Sequence, residues 1–171
     1  TQLPNFFTYF CNSMIRKVFL GLAFFAFFVQ AMAAGFPKPK FTATFSKTNA
    51  KAGDVIEIII RFDVATGFHV YSEKSDCLAD DGPIRTSIDF KPQPNSYCLV
   101  GSFKGIGDHM VKENEIWHCS TGEFTGKGEF RQKIKVLSSI KNGIEIVYNG
   151  QICNESGCDM IRDVVIKTPA L

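Results

Sequence analysis

Hydrophobic and polar positions alternate along most of the chain after residue 40, and this alternation predicts β-strands. Within Val55–Val64, for example, Ile58, Ile60 and Phe62 fall on one face of a β-branched segment. No long stretch of this region shows helical periodicity. The pattern predicts short strands at residues 41–45, 55–64, 68–72, 86–90, 97–103, 130–136, 144–148 and 164–167.

Glycine-containing turns separate the predicted strands and indicate how they connect. Asn142-Gly143 favours positive φ and predicts a tight hairpin between Val136 and Ile144. Many short strands at this spacing are typical of an all-β protein, here an immunoglobulin-like antiparallel β-sandwich. We find no internal repeat and no second domain.

The first 33 residues differ in composition, since they contain eight of the 17 phenylalanines. Arg16 and Lys17 precede an uncharged apolar run, Val18–Val29, and Ala31-Met32-Ala33 places small residues after it. This order predicts a secretory signal peptide over residues 14–33. The apolar run is too short to cross a bilayer, which needs about 20 residues, although an uncleaved anchor remains the alternative.

The predicted signal divides the chain of 171 residues into three parts. Residues 1–13 precede Met14 and are interpreted as upstream translated sequence that is not native, and residues 34–171 as the exported domain. Loss of Arg16 and Lys17 with the signal leaves 17 basic and 17 acidic residues. This balance argues against nucleic-acid binding, which requires a basic excess. No membrane span is expected in the exported domain.

Five cysteines lie in the exported domain, so at least one thiol is unpaired or pairs between chains. Cys153 and Cys158 enclose only four residues, and a disulfide across so small a loop adds less stability than one across a long loop. Spacing alone still favours a structural bond there, with a redox bond as the alternative. A structural disulfide is expected between Cys77 and Cys98. The alternatives are that both thiols are free, or that Cys119 forms a disulfide with one of the two.

Three further residues are candidate ligands of a soft metal such as copper or zinc: His109, His118 and Cys119. Their spacing matches no closed metal site, and no fourth ligand is evident. We therefore expect no metal centre.

Several motifs occur in an order that resembles one protein family. They are Gly67–Ser72, Asp81–Pro83, Leu99–Gly101, Glu123–Lys127, Phe130–Val136 and Cys153–Cys158. Over residues 38–168 the chain resembles the N-terminal periplasmic domain of the thiol:disulfide interchange protein DsbD, and most closely its Bacteroidetes-type members. The resemblance implies a periplasmic immunoglobulin-like domain without an organic cofactor. Such a domain carries electrons from a thioredoxin-like donor to exported proteins with disulfides.

The resemblance also implies roles for two cysteines. Cys158 matches the cysteine that forms the mixed disulfide with partners, and Cys153 matches the cysteine that resolves it. No base is evident beside either of them in the sequence. Asp159-Met160 stand where many family members have proline.

The remaining implied site residues flank the cysteine pair. Phe124, preceded by Glu123, matches an aromatic residue that caps the pair until a partner displaces it. His69 and Tyr71 match two tyrosines beside the site, so only Tyr71 keeps the residue type.

The hypothesis is a thiol:disulfide oxidoreductase, a component of a protein-disulfide reductase system, whose redox pair is Cys153–Cys158. The alternative is a non-catalytic immunoglobulin-like binding module of the cell envelope with structural disulfides. A metal-handling domain is the third interpretation.

Overall fold

The computed structural model describes residues 35–77, 82–107, 109–115 and 117–171. The predicted signal peptide at 14–33 and the segment 1–13 lie outside the described residues. Among those described, no helix combines the length and hydropathy of a membrane span. The strands are β1 (Lys40–Phe45), β2 (Val55–Asp63), β3 (His69–Ser75), β4 (Ser87–Phe90), β5 (Tyr97–Ile106), β6 (His109–Asn114), β7 (Cys119–Phe124), β8 (Lys127–Val136), β9 (Glu145–Asn154) and β10 (Gly157–Lys167).

The strands form two antiparallel sheets, which confirms the predicted all-β sandwich of immunoglobulin-like character. One sheet has the order β1-β2-β8-β5, and the other has the order β10-β9-β3-β7-β6. β4 pairs with the first half of β9, and β3 pairs with its end. The end of β9 therefore has β3 on one side and β10 on the other.

An aromatic and aliphatic core fills the space between the sheets. Phe62 of the first sheet stacks on Phe130 at 5.0 Å between ring centroids and meets Phe124 of the second edge-on at 5.2 Å. Tyr148 is fully buried beside them. Its hydroxyl lies 3.0 Å from Thr86 Oγ1. Inward residues of both sheets thus hold the sandwich together, as the period-two pattern predicts.

Two strands and one connection differ from the sequence prediction. β6 and β7 were not predicted. The residues of β7 from Thr121 onward are buried on both faces and include polar and glycine residues, so no alternation is visible. The predicted hairpin at Asn142-Gly143 is wrong, because β8 and β9 belong to different sheets. Gly143 does adopt positive φ, at 69°, but the turn carries the chain between the sheets.

Candidate functional site

The Cys153–Cys158 pair lies across a tight hairpin between β9 and β10. Glu155 and Ser156 form the two-residue turn. Asn154 supports it, because its Oδ1 accepts hydrogen bonds from the backbone N–H groups of Ser156 and Gly157 at 2.8 and 3.1 Å. Cys153 and Cys158 stand directly opposite each other beyond the turn. They form a cross-strand disulfide with Cα atoms 4.0 Å apart.

The two sulfur-bearing residues differ sharply in accessibility. Cys153 is 1% exposed, whereas Cys158 belongs to the exposed residues of β10. β9 lies between two strands at this point, while β10 is the outer strand of its sheet. A partner approaching from solvent therefore meets Cys158 first.

Strand register places a histidine beside the buried cysteine. His69 of β3 pairs with Cys153 of β9, which in turn pairs with Cys158 of β10. Neighbours in such a row point to the same face of the sheet. This face is the outward one, because Val70 and Ile152, the next residues along, are buried in the core. The family resemblance implied that His69 lies beside the site, and the register adds that it pairs with Cys153, a residue far from it along the chain.

Tyr71 extends the site along β3 on the same face. The Tyr71 hydroxyl lies 3.3 Å from His69 Nε2, and the two rings meet edge-on at 5.2 Å. Glu123 of β7 pairs with Tyr71, and the Asn114 side chain hydrogen-bonds its hydroxyl. Burial, and then the charge of Glu123, raise the pKa of Tyr71 against the lowering effect of Asn114. Tyr71 therefore remains a neutral phenol near pH 7.

Phe124 lies inside the sandwich in this structure, and its expected role as a cap stays a prediction. Phe124 pairs with Val70, and both side chains are 0% exposed. Its ring packs edge-on against Phe62 and Phe130 inside the sandwich, at 5.2 and 5.4 Å. Phe124 thus lies on the inward face, and Cys153 on the outward face. Successive residues of a strand point to opposite faces, so Glu123, next to Phe124, is the one on the cysteine side.

The expected Cys77–Cys98 bond is also wrong, because Cys77 is bonded to Cys119. β3 pairs with β7, and just past the end of β3 the Cα atoms of Cys77 and Cys119 lie 5.1 Å apart. Cys98 lies on β5 of the other sheet and is an exposed free thiol. This pairing is one of the alternatives that the spacing left open.

Of the three metal candidates, Cys119 is bonded to Cys77 and so offers no free thiolate. Among the described residues, the ligand atoms of Asp76, Cys77 and Cys119 lie within 4.8 Å of one another, but the two sulfurs are bonded to each other. His118 is exposed in the turn before Cys119. The side chain of His109 lies outside the described residues.

A groove of about 580 Å³ lies elsewhere, on residues of the four-stranded sheet that include Arg61, Ile106 and Glu129. None of its lining residues comes from the strands that carry the cysteine pair. This groove is therefore separate from the hairpin that carries the cysteine pair.

Comparison with known proteins adds little to the geometry described above. The chain matches no protein-family model. No curated protein matches it either. A similar solved structure is the N-terminal domain of DsbD from Neisseria meningitidis in its reduced form, at 16% sequence identity and a TM-score of 0.39. The similarity covers 68% of this chain and 82% of that one. A structural similarity this low supports no conclusion beyond the strand topology described above.

Proposed function

We propose that this domain is a thiol:disulfide exchange protein whose redox pair is Cys153 and Cys158. One observation carries the proposal: a disulfide across a hairpin turn joins an exposed cysteine to a buried one. A dithiol carrier needs one sulfur that a partner can reach and a neighbouring sulfur that then displaces the partner from the mixed disulfide. The hairpin supplies both.

The proposed reaction is a two-electron exchange. In the reduced domain the Cys158 thiolate attacks a disulfide of the acceptor, which forms a mixed disulfide and releases one acceptor thiolate. Cys153 then attacks the Cys158 sulfur, and the second acceptor thiolate leaves and takes up a proton. The acceptor is reduced to a dithiol, and Cys153–Cys158 is oxidised to the disulfide. A thioredoxin-like dithiol would return the pair to its reduced state by the reverse sequence.

A purely structural role is less favourable for this bond than for the other one. Cys77–Cys119 spans 42 positions and joins the segment just after β3 to the start of β7, whereas Cys153–Cys158 spans 5 positions and joins strands that the hairpin already pairs. The long-range bond is the stronger constraint on the unfolded chain. The short one is better suited to opening and closing.

The assignment of donor, acceptor and compartment follows from the sequence resemblance. The motif order between residues 38 and 168 resembles the N-terminal domain of DsbD, and the predicted signal at 14–33 favours export. We therefore propose a periplasmic protein that receives electrons from a thioredoxin-like donor. Its proposed acceptors are exported proteins with disulfides.

The reduction potential of the pair tests the proposal. The domain is equilibrated in glutathione buffers, alkylated and peptide-mapped at Cys153 and Cys158. A potential between about −180 and −270 mV, the span of known exchange proteins, is the expected result. A value below about −300 mV is typical of a structural disulfide and would favour the binding-module alternative.

Single-cysteine variants test the division of labour between the two sulfurs. In a Cys98→Ser background, Cys153→Ser is expected to form a stable mixed disulfide with glutathione at Cys158. Cys158→Ser serves as the matched control, and it should form the adduct far more slowly because Cys153 is buried. Equal adduct formation by both variants would contradict the proposed order of attack.

A further inference from the structure

We propose that the His69 imidazole accepts the proton of the Cys153 thiol when Cys153 resolves the mixed disulfide. This inference rests on the exchange reaction proposed above and supplies the base that the reaction needs. It comes from the row of paired residues that runs across three strands, with His69 on β3, Cys153 on β9 and Cys158 on β10.

The buried position of Cys153 makes a base necessary. Only the thiolate attacks a disulfide, and an ordinary cysteine is only a few per cent thiolate at pH 7. Cys153 is 1% exposed, and burial in apolar surroundings raises the pKa of a thiol further. A buried resolving thiol without a proton acceptor would therefore react slowly.

The sheet geometry brings an imidazole to that thiol. His69 and Cys153 are directly paired. Such residues on one face of an antiparallel sheet have Cβ atoms about 4.5–5.5 Å apart, a separation that an imidazole ring can span to a cysteine sulfur. Tyr71 fixes the ring, since its hydroxyl is 3.3 Å from His69 Nε2 and the two rings meet at 87°. Histidine is the side chain whose ordinary pKa lies nearest neutral pH.

The surrounding charges favour the protonated imidazole that the step creates. Glu123 faces Tyr71 from β7. Glu155 lies in the hairpin turn, and Asp159 follows Cys158 on β10. Among the described residues, Glu123 shares the face of the row through its pairing with Tyr71, whereas Asp159 is one position past Cys158 and lies on the opposite face. A negative environment stabilises an imidazolium and disfavours an isolated thiolate, so the proton transfer depends on the histidine.

The resolving step then balances in atoms and charge. The Cys153 S–H bond breaks, its proton passes to His69, and the thiolate attacks the Cys158 sulfur. The bond between Cys158 and the acceptor breaks as the Cys153–Cys158 bond forms. The departing acceptor thiolate takes up a proton, which the imidazolium supplies directly or through water. His69 ends the step neutral.

The test follows the two steps separately with 5,5′-dithiobis(2-nitrobenzoate). In a Cys98→Ser background, the reduced pair releases one nitrothiolate when Cys158 attacks and a second when Cys153 resolves the adduct. The second phase is intramolecular, so it reports on Cys153 without any need for solvent access. It is measured by stopped flow from pH 5.5 to 9.5 for the parent, His69→Gln and the matched control His118→Gln.

We expect His69→Gln to slow the second phase about fivefold at pH 7, because loss of the base outweighs the gain in intrinsic nucleophilicity of a thiol of higher pKa. The midpoint of its pH profile should rise by about one unit, and the profiles should converge above about pH 9. His118→Gln should match the parent. His69→Tyr is a second variant that keeps a ring against Tyr71, and it should show the same shift.

Two results would overturn the role of His69. One is an unchanged second phase in both His69 variants, and the other is a slowing by the same factor at every pH, which indicates a positional effect only. A different result, a parent that releases a single nitrothiolate and never forms Cys153–Cys158, would refute the exchange function itself. The two failures are therefore distinguishable.

Discussion

The two disulfides should contribute unequally to stability, because they close loops of very different length. Cys77–Cys119 has a sequence separation of 42, and Cys153–Cys158 has a separation of 5. In the chain-entropy model the long loop is worth about 4 kcal/mol of unfolding free energy and the short loop about 2 kcal/mol. For a two-electron couple, the difference corresponds to a reduction potential roughly 40 mV higher for the Cys153–Cys158 pair.

Two double variants test this difference, both in a Cys98→Ser background. We expect Cys77→Ala/Cys119→Ala to lose about 4 kcal/mol in urea unfolding at pH 7, and Cys153→Ala/Cys158→Ala to lose about 2 kcal/mol. Each variant serves as the control of the other, since both remove one disulfide and two sulfurs. The parent is also titrated with dithiothreitol, alkylated and mapped, and the hairpin bond should open first.

The reasoning would be refuted if the hairpin variant lost as much stability as the long-range one. The reasoning would also be refuted if dithiothreitol reduced Cys77–Cys119 together with or before Cys153–Cys158. Accessibility, like loop entropy, favours earlier reduction of the hairpin bond, since Cys77 is 5% exposed and Cys158 is exposed. A reversal would therefore mean that the hairpin bond stabilises the native state through contacts that loop length does not describe.

Three further predictions concern the core and one turn. Phe124→Ala should lower the unfolding free energy by about 3–5 kcal/mol, because it leaves a cavity, but should not speed exchange at the pair; faster exchange would support a cap. Burial raises the pKa of Tyr148 to about 12. The stabilising contribution of Tyr148 should therefore be complete below about pH 10 and be lost as pH rises through about 12. In urea unfolding at several pH values, the parent should lose roughly 2 kcal/mol of unfolding free energy over this range relative to Tyr148→Phe. Gly143→Ala should lower Tm more than Gly101→Ala, since both have φ near +68° but only at Gly143 would a Cβ collide with the Thr168 carbonyl; equal losses would contradict the collision.

Local patterning predicted much of the fold because it depends on single strands. β2 and β8 alternate clearly, and their inward residues such as Ile58 and Ile134 are buried as expected. β7 has no such alternation, since buried Thr121 and Glu123 stand among its residues. Its place in the sheet comes from pairing with β3 and β6 and not from its own sequence.

Pairing between distant segments was the part that the sequence did not reveal. The positive φ of Gly143 is a local property and was predictable, whereas the sheet that the chain enters after it is not local. The same holds for the cysteines. Cys153 and Cys158 are neighbours through a hairpin, but Cys77 meets Cys119 only because β3 pairs with β7.

Cys153 is the less accessible sulfur of the proposed redox pair. Phe124 points into the core, so its displacement would open the sandwich and not the site. Cys153 has β3 on one side and β10 on the other, and it is 1% exposed. In the proposed exchange we expect an external disulfide to react at Cys158 and Cys153 to act only within the chain. Selectivity between the two sulfurs would then need no conformational change, and the rate of the internal step would depend on His69, which pairs with Cys153.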